Sequence, residues 1–329
     1  MDNRQIVLKT RSDGVPSPEE FELITRPAEQ ASEGKMLCKT HFISLDPYLR
    51  GKISGRHMSG TIHPGELMLS ETVSEVLESQ HPEFAKGDIV AAFAGWQEYP
   101  VIDGALARKV NPELGPISTT LGILGMPGLT AYAGLLRLGE PKAGDTVLVS
   151  AATGPVGSMV GQIARIKGCR VVGIAGSEDK CAWAVNEAGY DACINYKARD
   201  IREAIDEICP DGVDVYFDNV GGDMLQAVME RLAIGARVVL CGLMAQYNSN
   251  EPPPGPNPAL IIKARATVRG MVVYDHEDAR DEFEQAVSGW LKEGKIKYLE
   301  DSASGLDQAP AQFCRLMRGE NFGKSMVAL

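Results

Sequence analysis

The seven cysteines of this 329-residue chain, at positions 38, 169, 181, 193, 209, 241 and 314, include no Cys-x-x-Cys pair. That absence, with the odd count, excludes a disulfide framework and a zinc knuckle, and the thiols read as small buried hydrophobes in a reducing cytoplasm. Histidine is scarce too. The five, at 41, 57, 63, 81 and 276, stand in no spacing that supplies three ligands, so no catalytic zinc is expected. His63-Pro64-Gly65-Glu66 is the one tempting piece; it lacks a partner cysteine and reads as a turn. No serine sits in a Gly-x-Ser-x-Gly elbow, which leaves hydrolase chemistry without support. Residues 1–14 lack the apolar run of a secretion signal, and none is expected. Positive charge is short as well: 33 Lys and Arg against 44 Asp and Glu leave a net charge of −11. Such a field repels phosphate, so neither nucleic acid nor an anionic membrane is an expected partner, and any bound anion must be caught by local groups. The uncharged window Leu114–Leu136 is long enough to span a bilayer, yet it carries five glycines and two prolines. It reads as buried domain interface, not as a membrane helix.

What is present is an ordinary globular composition, 44% hydrophobic and 23% charged, with no internal repeats. The length exceeds one typical core, so two domains are expected. Residues 1–119 hold short strand-like runs at 5–9, 37–44, 89–93 and 98–101, separated by Gly, Pro and Asp; this is the texture of an all-β, barrel-like domain. Within it Leu45-Asp46-Pro47-Tyr48-Leu49-Arg50 follows a strand and opens a helical turn, at a rim where binding groups usually sit. From 120 to 297 strands alternate with amphipathic helices. The strands are 146–151, 170–175, 192–195, 213–218, 237–241 and 268–273, with a helix at 278–292 closing the set. Six such strands match the two halves of a doubly wound parallel sheet, an α/β Rossmann domain. Residues 298–329 return to short, turn-separated pieces and rejoin the first domain, and the Pro-rich stretch 251–258 reads as an extended loop.

The densest signal begins at Thr146, where an apolar β-branched strand runs into Ala152-x-Gly154-x-x-Gly157 and then into a helix with Val156, Val160, Ile163 and Ala164 on one face. Gly154 lets the backbone approach a pyrophosphate, Pro155 presets φ for the helix, and Gly161 allows close helix–strand packing. The first helical amides, from Val156 and Gly157, face the phosphates with a positive dipole end. A tight βα turn without a ligand is the rival reading. Past the second strand an NAD enzyme wants a carboxylate, but here stand Ala175-Gly176-Ser177. Ser177 and Lys180 are suited to a 2′-phosphate, which makes NADPH/NADP+ the expected cofactor; Glu178 and Asp179 weigh against it, and a solvated lysine is the rival. Asn219 ends an apolar strand, where such folds face the cofactor crevice; an Asn-Val-Gly-Gly turn explains it equally.

The runs IxLDPYLRG (43–51), GWQEY (95–99), GMPGLTAY (125–132), AATGPVGSMVGQIA (151–164), AGSxxK (175–180), NYK (195–197), FDNVGG (217–222) and GENFGK (319–324) span nearly the whole chain in order. They resemble the zinc-free medium-chain dehydrogenases/reductases, in the branch of prostaglandin reductases, plant double-bond reductases and bacterial curcumin reductases. The resemblance implies a Rossmann domain inserted into a discontinuous GroES-like β-barrel domain. It also implies NADPH-dependent reduction of the C=C bond of α,β-unsaturated aldehydes and ketones, with hydride from nicotinamide C4 adding to the β-carbon to leave an enolate. Cofactor contacts would come from Met126 and Thr130, from Tyr196 and Lys197 at the 2′-phosphate, from Asn219, from Cys241 and Gly242 through Tyr247, from Met271, Val272 and Val273, and from Asn321. Tyr247 and a ribose hydroxyl are the candidate donors to the enolate oxygen; an unperturbed tyrosine, with a pKa of about 10, is protonated at neutral pH. Tyr48 is assigned to holding the substrate, and water can deliver the final α-proton. For Tyr48 and Tyr247 a surface plug, and for Met126 and Thr130 plain packing, are the rivals. A small enone or enal substrate and a homodimer are expected. A quinone reductase on the same scaffold and a non-catalytic NADPH-binding protein stay open as alternatives. One departure stands out. The family carries glycines just ahead of its VGxVVES strand, where this chain has Leu69-Ser70-Glu71-Thr72-Val73-Ser74-Glu75-Val76. Side chains replace bare backbone, so the substrate mouth is expected to be narrower or differently shaped.

Overall fold

The computed structural model describes residues 1–11, 13–249, 251 and 254–329. In chain order the first strands are β1 (Asp2–Leu8), β2 (Phe21–Pro27) and β3 (Lys35–Ser44); helix α1 (Leu49–Ser54) follows, then β4 (Thr72–Ser79), β5 (Ile89–Ala92), β6 (Val101–Asp103) and β7 (Arg108–Lys109). Next come α2 (Met126–Ala133), β8 (Thr146–Ser150), α3 (Pro155–Ile166), β9 (Arg170–Ala175), α4 (Glu178–Asn186), β10 (Ala192–Asn195), α5 (Ile201–Ile208) and β11 (Val213–Asp218). The chain continues through α6 (Gly222–Met229), β12 (Leu232–Leu240), α7 (Met244–Tyr247), α8 (Ala259–Ala264), β13 (Thr267–Gly270) and α9 (Arg280–Lys292), and closes with β14 (Glu300–Ser304), α10 (Ala309–Met317) and β15 (Lys324–Ala328). Two compact units result: Met1–Leu121 with Glu300–Leu329, and Gly122–Leu299.

The second unit is built on a parallel sheet in the order β10-β9-β8-β11-β12-β13. By rank this is 3-2-1-4-5-6, the doubly wound order, which reverses direction between β8 and β11 and opens a crevice beyond their carboxyl ends. The strands are rich in Val, Ile and Leu because both faces are covered: Leu148, Val172, Ile194, Tyr216 and Val238 are buried under α5 and α6. Helix α3 lies close to β8 because Gly157 has no side chain; a Cβ there would fall 2.3 Å from the Ala151 carbonyl oxygen. Gly161 turns out to serve a different neighbour. A Cβ at that position would sit 2.1 Å from the Tyr190 ring, so this glycine makes room for a buried tyrosine and not for a strand.

The first unit carries a sheet in the order β14-β15-β3-β4-β5-β7, with β6 added to β3. Strands β1 and β2 form a separate antiparallel ribbon. The C-terminal return supplies β15, antiparallel to β3 through Met326 opposite Ser44. Three expectations need correction. Of the run 98–101 only Val101 lies in a strand: Pro100 has no N–H, the Tyr99 amide bonds the Asn3 side chain, and the regular pairing starts at Val101. The last parallel strand stops at Gly270, and a 3-10 turn over Val273–Ala279 delays α9 to Arg280. Residues 298–329 hold a nine-residue helix, α10, as well as short pieces. The window 114–136 is divided into a 3-10 turn (Ile117–Leu121) and α2, and among the described residues no helix is long and apolar enough to cross a membrane. Of the Pro-rich segment, Pro252 and Pro253 lie outside the described residues; residues 254–257 are irregular.

Candidate functional site

In the second unit, the residues singled out along the sequence, apart from Met126 and Thr130 in α2, lie at or just past the carboxyl ends of the parallel strands. At the end of β8, Ala151 takes a left-handed conformation (φ 52°), which for a residue with a side chain stores roughly 1–3 kcal/mol of strain, and such strain gathers at functional turns. The turn closes with the Gly154 amide on the Ala151 carbonyl, and α3 starts at Pro155 with its first helical bond from the Ser158 amide to Gly154. The amides of Val156 and Gly157 precede that bond and keep the donor character of a helix N-terminus. Above Gly154 a Cβ would meet only the Ala151 carbonyl oxygen, at 3.3 Å, so the backbone is open to a close approach there. This is a cradle that fits a pyrophosphate.

Across the crevice, the end of β11 is locked to β8. The Asn219 amide donates to Ser150 Oγ and its side-chain Nδ2 to the Ser150 carbonyl, both at 2.8 Å, while Ser150 Oγ donates to Asp218 Oδ1 at 3.1 Å. Asp218 is fully buried and also accepts from the Tyr216 hydroxyl and the amides of Val220 and Gly221. The carboxylate therefore serves to fix the turn, and Asn219 is held by its two donors and by its backbone carbonyl, which accepts from the Met244 amide at 3.3 Å. Ser150, Tyr216 and Asp218 escaped the sequence reading, although Asp218 stands in the FDNVGG run that carried the resemblance.

The segment after β12 stacks on this turn. The amides of Cys241 and Gly242 donate to the Asp218 carbonyl at 2.8 and 3.1 Å, and a Cβ on Gly242 would lie 2.9 Å from the Asn219 carbonyl oxygen. Burial and the nearby Asp218 push the Cys241 thiol up to about 12, so it stays neutral. Tyr247 ends the single turn α7, half-buried, its hydroxyl accepting from the Leu243 amide at 3.5 Å. Burial raises its phenol, which keeps the proton at neutral pH. Beyond β13, Met271 is buried against the Phe217 side of Gly134, Val273 is buried, and Val272 is exposed. In α2 the Thr130 hydroxyl donates to the Met126 carbonyl at 2.7 Å.

Past β9 and β10 a second group assembles. Ser177 caps α4 through the Lys180 amide, and Lys180 is half-buried one turn on. Gly176 leaves a gap beside the Tyr196 ring and the Lys197 stem, with the Lys197 ammonium 6.0 Å from that ring's centroid. Asn195 Nδ2 donates to Glu178 at 2.7 Å, which engages the carboxylate that weighed against a phosphate here.

The first unit presents its own cluster at one end of its sheet. β3 ends at Ser44 and leads into Tyr48, whose ring lies 5.3 Å from that of His57. β15 begins beside it, just after Asn321, whose Nδ2 donates to the Gly323 carbonyl. Burial and then Lys52 hold the His57 imidazole below its ordinary value.

Comparison with known proteins agrees with this geometry. Residues 4–110 match a family described as the N-terminal domain of oxidoreductase, and residues 155–292 one described as zinc-binding dehydrogenase. The chain is 42% identical to the NADPH-dependent curcumin reductase of Escherichia coli (strain K12), over 99% of its own length and 96% of the relative's. It is 38% identical to the NADP(+)-dependent 2-alkenal reductase of Nicotiana tabacum, over 99% and 97%. The crystal structure of CurA from Vibrio vulnificus in complex with NADPH superposes with a TM-score of 0.93 at 43% identity, covering 99% of this chain and 98% of that one. The word zinc in the second description does not fit these donors: among the described residues no three His, Cys, Asp or Glu side chains are grouped to hold a metal ion. On likeness over its whole length and the doubly wound sheet together, the chain belongs to the zinc-independent group of the medium-chain dehydrogenases/reductases.

Proposed function

We propose that this protein is an NADPH-dependent reductase of the conjugated C=C bond of α,β-unsaturated aldehydes and ketones. The single observation that carries the reading is the gathering of the Gly154 turn, the Ser177–Lys180 cap, Asn219 and the Cys241–Tyr247 segment at the carboxyl ends of one doubly wound sheet. Relatives named for 2-alkenal and curcumin reduction, and one bound to NADPH, point the same way; a 2-alkenal is by definition an aldehyde conjugated to a C=C bond.

When bound, NADPH supplies the hydride for the β-carbon. The chain's own residues do the rest. Val156 and Gly157 receive the pyrophosphate on backbone amides, and Gly154 lets the backbone approach it closely. Ser177, Lys180, Tyr196 and Lys197 hold the 2′-phosphate with charge-assisted bonds. Asn219, Cys241, Gly242 and the Met271–Val273 segment line the ribose and nicotinamide, with Met126, Thr130 and Asn321 as further contacts. Negative charge gathers on the substrate oxygen as the β-carbon is reduced, and a fixed donor in a water-poor place stabilises it far more than in water. Tyr247 is that donor, its proton retained because burial raises the phenol. Tyr48 holds the substrate, and water delivers the α-proton. The first unit's sheet takes the form of a GroES-like barrel, two copies form a homodimer, the commonest assembly, and seven free thiols suit a reducing cytoplasm.

A side-by-side assay of enones, enals and quinones at equal NADPH tests this reading. Faster NADPH oxidation with enals and enones is expected; preference for quinones would make the protein a quinone reductase, and tight NADPH binding with no turnover of either would make it a binding protein.

A further inference from the structure

A carboxylate beside a phosphate site is a physical conflict, and the hydrogen bonds around Asn195 resolve it. Asn195 ends β10 directly opposite Ala175, the last residue of β9. Side chains alternate along β10: Ile194 packs in the core with Ala204 and Ile205 of α5, and Asn195 stands on the other face with Cys193, whose thiol meets that of Cys181 in α4. Both ends of the Asn195 carboxamide are engaged. Nδ2 donates to Glu178 Oε1 at 2.7 Å, and Oδ1 accepts from the Lys197 amide at 3.1 Å. The Asn195 backbone carbonyl accepts from the amides of Ala198 and Arg199, both at 3.1 Å, while the Tyr196 amide donates to the Ala175 carbonyl at 3.2 Å. One side chain thus fixes the turn that carries Tyr196 and Lys197 and also holds the carboxylate at the first position of α4, between Ser177 and Lys180.

Glu178 is exposed. A carboxylate free to rotate there acts twice against NADPH: it repels a 2′-phosphate, and it accepts from the 2′-hydroxyl of NADH, the role a carboxylate past the second strand plays in NAD-binding folds. Pinned by Asn195 on the α4 side of the sheet, it does neither. Asparagine suits the task because it carries no charge and both donates and accepts, whereas an ionised aspartate only accepts. We propose that Asn195 is a positioning residue for cofactor choice, which holds Glu178 off the 2′-phosphate site so that Ser177, Lys180, Tyr196 and Lys197 bind NADPH in preference to NADH. The proposal rests on the NADPH reading and adds the residue that makes an acidic helix start compatible with it.

The test is fluorescence titration of the intact chain with NADPH and with NADH. Asn195→Ala should weaken NADPH about tenfold, the scale of one misplaced charge beside a dianion at a protein surface, and should leave NADH unchanged or tighter. Glu178→Gln keeps an acceptor for Asn195 Nδ2 and should by itself move NADPH affinity by less than about threefold; added to Asn195→Ala, it should bring NADPH affinity back to within about threefold of wild type. Asn195→Ser is the second variant, since its hydroxyl still accepts in this kind of turn but is too short to reach Glu178. It should shift the NADPH-to-NADH ratio in the same direction, which keeps the test alive if Asn195→Ala fails to fold. An unchanged ratio, equal losses for both cofactors, or a loss that Glu178→Gln does not restore would overturn the role of Asn195. A wild-type chain that binds NADPH no more tightly than NADH would instead overturn the cofactor reading beneath it.

Discussion

The ammonium of Lys324 lies 2.6 Å from Asp46 Oδ1, with the two side chains only 3% and 7% exposed. The same nitrogen donates to Ser44 Oγ and to the Leu45 carbonyl, so the first residue of β15 ties down the loop that leads to Tyr48. Breaking one partner of a buried pair leaves the other charge uncompensated, which typically removes about 3–5 kcal/mol. Lys324→Ala should therefore lower unfolding stability by that amount in urea titration and raise KM for the enone more than it raises the Kd for NADPH. A loss under about 1 kcal/mol would show that the pair is not a keystone of the loop.

Cofactor choice rests on Lys180. A charge-assisted bond to a 2′-phosphate is worth roughly 1.5–3 kcal/mol, so Lys180→Ala should weaken NADPH binding by about tenfold to a hundredfold while barely touching NADH. Fluorescence titration with both cofactors decides it; equal losses would remove Lys180 from the phosphate site.

Tyr247 should act as a donor, not as a base. Burial raises its phenol, so its contribution is complete at neutral pH and is lost only as pH climbs beyond the ordinary tyrosine value of about 10. Tyr247→Phe should lower kcat by about tenfold to a thousandfold with NADPH affinity little changed. An unaltered kcat would leave the ribose hydroxyl as the donor.

Fold and site were legible to different depths. The parallel strands at 170–175, 192–195 and 213–218 were readable residue for residue because each is a short, mostly apolar run bounded by turn and helix signals. Residues 98–100 failed as a strand because their backbone groups bond a side chain and scattered partners, which no alternation of apolar residues encodes. Gly161 was legible as a close contact but not as the seat of Tyr190, since the partner lies 29 positions away in the sequence. The Ser150–Asp218–Asn219 lock and the Lys324–Asp46 pair were invisible for the same reason: each joins residues that only the topology brings together.

Alkaline instability should follow from the buried thiols. Burial pushes the fully buried Cys38 from an ordinary 9.0 up to about 12, so the folded chain keeps a proton that the unfolded chain loses. Its stabilising effect is complete below pH 9 and falls by about 1.4 kcal/mol per pH unit as pH rises toward 12. Urea unfolding at pH 8 and pH 10.5 should therefore show a smaller drop for Cys38→Ala than for wild type; an identical drop would mean that this thiol is not the titrating group.

The central claim is that reduction occurs at the conjugated C=C bond. Reduction of an enal or enone with 4-deuterated NADPH, followed by NMR of the product, tests it most directly. The label should appear on the β-carbon of a saturated aldehyde or ketone; deuterium on the carbonyl carbon of an unsaturated alcohol would make the protein a carbonyl reductase and contradict the account.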